Sequence, residues 1–149
     1  LGGPPYQDFT TFVSNSQFYR MTDPVGTAFN RRTIYRTWLR SGRNPFLDAF
    51  DCPDPATTAP RRAVTTTPTQ SLALLNNSFV LRMARHMAQR ITRETGPQPR
   101  DQANRGILLA YSRPATQEDL TAAARFILEH GLAAFCRVLF NTNEFLYID

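Results

Sequence analysis

Two arginine pairs, Arg31-Arg32 and Arg61-Arg62, bracket a segment in which Asp48, Asp51 and Asp54 recur at every third residue. Guanidinium forks hold carboxylate, sulfate or phosphate through parallel charge-assisted hydrogen bonds. The four arginines can therefore converge on an external anion, such as an acidic or sulfated glycan. They can equally pair with Asp48, Asp51 and Asp54 and tie down the loop carrying those acids, because a partly buried Arg–Asp fork fixes geometry even where its net stabilisation is small. The acids lie between the two pairs, which favours the bracing role. In a third reading Asp51 or Asp54 is a base beside the arginines, forming half of a polysaccharide-active hydrolase site that a preceding domain completes.

Other reactive side chains are sparse. The three acids lack the alternate ligands, central glycine and distal glutamate of a calcium loop, and "DAFDCPD" fits Asp-Pro turns better, so no metal is expected. His86 and His130 have no Cys, His or carboxylate at ligand spacing. His130 falls at a helix C-terminus, where a cation complements the dipole. Cys52 and Cys136 make no CxxC or CxxCH, so neither zinc nor haem is expected and no cofactor is assigned. One disulfide between them is open, although Cys136 reads as a small buried residue. No GxSxG elbow or Cys–His–Asn arrangement is present, and no catalytic residue is assigned. Phe9, Phe12, Phe18, Tyr19, Tyr35 and Trp38 suit a small core, with a sugar-stacking platform as the alternative.

Charge narrows the partners. All 17 basic residues of the 149 are arginine and the net charge is +5. GC-rich coding accounts for that as readily as anion binding does. Residues 1–100 carry 13 arginines against six acids, and residues 101–149 carry four against six, so a basic face belongs to the first two thirds. No reading helix, zinc finger or aromatic RNA motif accompanies the charge, and no nucleic acid is expected. No apolar stretch approaches the roughly 20 residues of a transmembrane helix. The opening Leu1-Gly2-Gly3-Pro4-Pro5, with no initiator methionine or signal peptide, reads as a segment of a longer protein.

The elements that position these residues are mainly helical, giving a bundle of about five helices with a small N-terminal β element and a proline-rich ordered loop in a single domain. Residues 1–40 read as extended. "FTTFVSNSQFYRM" is a hairpin turning at Ser14-Asn15-Ser16, and "RRTIYRTWL" is a strand with Ile34, Arg36 and Trp38 on one face. Arg-Arg-Thr-Ile and Arg-Arg-Ala-Val would then be paired strands delivering both arginine pairs to one place. Residues 41–60 hold four of the eleven prolines and form a loop with one short turn at Phe46–Phe50.

Residues 61–149 are the helical part. Thr67, Pro68 and Gln70 form a capping box for a helix from Pro68 to about Leu75. Ser78 caps the next helix, ending at Gly96-Pro97, with Phe79, Val80, Met83, Ala84, Met87, Ala88 and Ile91 inward and Arg82, Arg85 and Arg93 outward. Asp101 caps a helix with an Ile107, Leu108 and Tyr111 stripe. Thr116 and Asp119 box another, with Leu120, Ala123, Ala124, Ile127 and Leu128 inward up to His130-Gly131. The last runs from Leu132 through Phe135, Cys136 and Leu139. Short connections make these antiparallel neighbours.

The stretch "FNRRTIYRTWLRSGRNPFLDAFDCPDPATTAPRRAVTTTPTQSLALLNNSFV", with "SRPATQEDL" and "RVLFNTNEFLYID", resembles a planctomycete-type C-terminal domain of unknown function. The resemblance covers about residues 26–149. Such domains occur in large exported proteins that often carry an N-terminal cytochrome-c-like module. The resemblance implies an extracytoplasmic location and preceding domains of the same polypeptide as partners, and it transfers no catalytic residue. The resulting expectation is a non-catalytic structural or interaction module, with anion binding and the hydrolase half-site as alternatives.

Overall fold

A computed structural model describes residues 4–13, 16–40, 42–61 and 65–147. The chain divides into two compact units, Leu1–Gln70 and Ser71–Asp149. As expected from sequence, it is mainly α, with five helices of substantial length and one small two-stranded antiparallel sheet.

In the N-terminal unit, β1 (Phe9–Val13) pairs with β2 (Gln17–Met21), in a register that sets Phe9 opposite Met21 and Phe12 opposite Phe18. The expected turn residues Ser14 and Asn15 lie outside the described residues. The strand expected over 31–39 does not form. Thr33–Tyr35 is a 3-10 turn, and among the described residues the backbone pairing of this segment is limited to isolated bridges, a parallel one from Tyr6 to Arg36 and an antiparallel one from Leu39 to Gly42. The Tyr6 N–H donates to the Tyr35 carbonyl and the Thr37 N–H to that of Tyr6, both at 2.9 Å. A strand is stabilised by cross-strand pairs along its length. Isolated bridges do not supply them, so the β-branched composition is overridden and Ile34 is left exposed. Arg-Arg-Thr-Ile therefore does not deliver its arginines from a strand, and Arg62–Val64 of the second repeat lie outside the described residues. In the proline-rich loop the expected short turn is α1 (Pro45–Ala49), with Pro45 opening the helix and Asn44 Oδ1 accepting from Phe46 and Leu47 N–H.

α2 (Pro68–Asn76) opens with the expected capping box: the Thr67 N–H donates to Gln70 Oε1 (3.3 Å) and the Gln70 N–H to Thr67 Oγ1 (3.4 Å). α3 (Ser78–Thr95) is capped by Asn77 instead of Ser78, since the Asn77 Oδ1 accepts from Phe79 N–H at 2.9 Å. α4 (Pro99–Tyr111) starts ahead of Asp101, which sits in the first turn and favours the positive dipole end without capping it. α5 (Gln117–His130) has the expected Thr116–Asp119 box, and α6 (Leu132–Leu139) and α7 (Asn143–Leu146) follow.

Small residues let these helices approach closely. Ala84, Ala88 and Ile91 of α3 pack on Cys136 of α6, and Ala103, Ile107, Ala123 and Ile127 of α4 and α5 enclose Phe135 and Leu139. The inward stripes of α4 and α5 are narrower than expected, because Leu108 and Leu128 point to solvent. Both cysteines are free thiols, so the disulfide left open by the sequence is not made. Burial pushes the Cys136 thiol up to about 12.

Gly106 marks the tightest approach: a Cβ there would lie 2.9 Å from Phe135 Cε1 and 3.3 Å from Leu139 Cδ1. At the far end of the unit Arg113 joins three elements. Its Nη1 donates to Asp119 (2.8 Å) at the start of α5, while Nε and Nη2 form a fork on Glu144 of α7. Beside it the Tyr111 and Thr142 hydroxyls are bonded at 2.9 Å. Arg113 holds the Asp119 carboxyl down at about 2 and lowers that of Glu144.

Gly106→Val should destabilise the helical unit by about 1–3 kcal/mol through overpacking despite valine's better helix propensity, read as a lower urea midpoint. Asp119 and Glu144 have depressed folded-state values, so their contribution is complete above the ordinary carboxylate range and is lost as pH falls through it toward about 2. Arg113→Met should therefore flatten the decline of the urea midpoint between about pH 4.5 and 2.

Candidate functional site

Among the described residues of the N-terminal unit, only Asp8, Arg36, Gly42 and Gln70 are buried. None is a hydrophobic side chain; the apolar side chains described in this unit are at most half-buried. The Tyr6 bridge and the Thr22 N–H bond to the Asp8 carbonyl (2.7 Å) bring the start of the chain, β2 and the 31–39 segment together. At their junction Arg36 Nε donates to Asp8 Oδ2 at 2.7 Å, with the two side chains 2% and 7% exposed. Asn44 Nδ2 donates to the same oxygen at 3.2 Å, linking the pair to the α1 cap. The Arg36 guanidinium lies 5.2 Å from the Trp38 ring centre and donates to Met21 Sδ. Asp8 Oδ1 and Arg36 Nη1 have no partner among the described residues. Tyr6 stands beside the pair, and its phenol is raised first by burial and then by the Asp8 charge.

The residues singled out from sequence have other partners. Arg31 donates to the Pro4 carbonyl (2.8 Å) and stacks over Tyr35 at 4.5 Å. Arg32 and Arg61 are exposed, and Arg62 lies outside the described residues. Both oxygens of Asp51 accept from Thr65, through the backbone N–H (2.7 Å) and the hydroxyl (2.9 and 3.0 Å). The Thr65 carbonyl in turn accepts from Gln70 Nε2 at 2.9 Å. Asp51 has a left-handed backbone, φ 56°. Asp54 accepts from Ala56 N–H at 2.8 Å, and Arg43 reaches Asp48 (3.2 Å) and Asp54 (4.0 Å). The loop is thus braced through Thr65 and Arg43, two residues that the arginine-pair pattern does not single out. Among the described residues no group of three or more His, Cys, Asp or Glu can hold a metal.

The hairpin presents two faces. Phe9, Tyr19 and Met21 share one and are half-buried, with Phe9 and Tyr19 edge-to-face at 5.5 Å. Phe12 and Phe18 share the other, stacked at 5.4 Å with Arg20 5.6 Å over the Phe12 ring. They are 46% and 47% exposed, and Trp38 is 45% exposed. The front aromatics therefore split between an inner set and an outward platform, a division that strand alternation supplies once the register is known. Arg36 was legible only as a charge inside an aromatic run; nothing in the sequence names Asp8 as its partner across 28 residues.

A family model described as "PSD1: Protein of unknown function (DUF1553)" matches residues 1–127. No curated protein and no solved structure shows a significant match.

Removing one partner of a buried ion pair strands the other charge. Arg36→Met should cost about 3–5 kcal/mol in the N-terminal unit. Asp8→Leu combined with Arg36→Met should recover much of that loss, measured by urea unfolding with Trp38 fluorescence.

Proposed function

The chain belongs to the PSD1 family of proteins of unknown function, and from that premise we propose a non-catalytic structural and interaction module of a large exported bacterial protein. In this reading the outward hairpin face packs on a preceding domain of the same polypeptide. The observation that carries it is the inversion in the N-terminal unit, where a polar centre is buried while Phe12 and Phe18, stacked on one hairpin face, remain nearly half exposed. Exposed aromatic groups clustered on one face are a mark of association surfaces, since burying them against a partner removes apolar area from water. The extracytoplasmic, cytochrome-c-associated setting of planctomycete-type proteins belongs to the same proposal and supplies the preceding domain. The occupation of Asp51 and Asp54 by Thr65 and Ala56 favours this reading over the hydrolase half-site.

A second reading, an acidic or sulfated glycan on the aromatic face and the arginines, draws on Arg20 over Phe12 and on the exposure of Arg32 and Arg61. The two readings separate experimentally. The 149-residue chain should self-associate with rising concentration in sedimentation velocity, and Phe12→Ser with Phe18→Ser should restore the monomer at unchanged helix content. A wild-type monomer at every concentration would exclude the packing surface. Glycan-array binding at low salt that is lost on replacing Arg31, Arg32, Arg61 and Arg62 with alanine would favour the glycan instead.

A further inference from the structure

The helical unit carries a groove that none of the preceding chemistry uses. It has a volume of about 650 Å³ and lies along α3 beside the start of α6. Ala88, Leu132 and Ala133 supply its apolar surface, and Arg85, Gln89, Thr92 and Arg93 its polar one. The helix period produces this arrangement, since residues 85, 89, 92 and 93 fall on one side of α3 while Ala84, Ala88 and Ile91 turn toward α6. The small side chains at 88 and 133 leave the space open.

Among the described residues no carboxylate offsets its charge. The single acid of α3, Glu94, already accepts from Arg90 (2.8 Å) and from Arg105 of α4 (2.6 Å), which lower its carboxyl. α6 has no acid at all. Neither Arg85 nor Arg93 has a carboxylate partner among the described residues. Two arginines with no carboxylate partner among the described residues, their backbones about 12 Å apart along the helix axis, thus flank an apolar strip.

We propose that this groove binds a small amphiphilic anion, with the apolar body over Ala88, Leu132 and Ala133 and a sulfate or carboxylate head on Arg85 or Arg93. Its volume lies within the range of small-molecule sites, and guanidinium forks match such heads. The site involves neither the hairpin face nor the arginine pairs, so it stands or falls separately from the packing surface.

Octyl sulfate is the probe, followed by backbone amide NMR on the full 149-residue chain. The expected result is saturable binding with shifts centred on Ala88, Leu132 and Ala133. Affinity should fall about tenfold in R85Q/R93Q, the loss of one charge-assisted contact. Ala133→Phe, on an exposed position, should fill the groove and abolish binding while leaving the helical spectrum unchanged. Octanol and inorganic sulfate should each bind much more weakly, because each supplies half of the ligand. Inorganic sulfate equalling octyl sulfate would overturn the apolar half, and undiminished binding in R85Q/R93Q would overturn the anionic half. Binding to phosphatidylglycerol vesicles without binding of free octyl sulfate would overturn the small-ligand assignment.

Discussion

The Asp8–Arg36 pair is the constraint on which the N-terminal unit depends. It joins the segment before β1 to the segment after the Thr33–Tyr35 turn, and Asn44 extends it to the cap of α1. Among the described residues of this unit no apolar side chain is fully buried, so the hydrophobic effect alone does not fix its geometry. It relies also on a desolvated charge pair whose disruption is costly, although the pair itself adds little over an apolar substitute. Such a pair imposes geometry more than it imposes stability. That explains how aromatic side chains can remain at the surface of an ordered unit.

The helical unit works the other way. Its core is alanine, isoleucine, phenylalanine and a buried thiol, and its polar contacts lie at the edges: Glu94 between α3 and α4, and Arg113 between α4, α5 and α7. These exposed pairs stabilise modestly and serve mainly to set where helices end and turn. The close packing permitted by Gly106 and the alanines brings helices together at their centres, and one of those alanines, Ala88, also lines the groove beside α6.

The two units present different kinds of surface for interaction, an aromatic hairpin face and an arginine-flanked groove. The acids that suggested catalysis are occupied in loop geometry: Asp51 on Thr65, Asp54 on Ala56, and Asp48 on Arg43. Their occupation is what favours the interaction reading among the proposed functions.

Local chemistry determined what the sequence alone could settle. The capping boxes at Thr67–Gln70 and Thr116–Asp119, the glycine stops at Gly96 and Gly131, the hairpin and the turn at Pro45 depend on neighbours within a few residues, so their signals sit in the chain itself. The tertiary structure decided the rest. Strand propensity over 31–39 yielded to the missing ladder partner, and the Arg36–Asp8 pairing joined residues 28 apart. Leu108 and Leu128 went outward because the available neighbours were Phe135 and Leu139, which fit against Ala103, Gly106 and Ala123. Partner choice across long separations depends on shape and desolvation in three dimensions, and one-dimensional periodicity does not encode it.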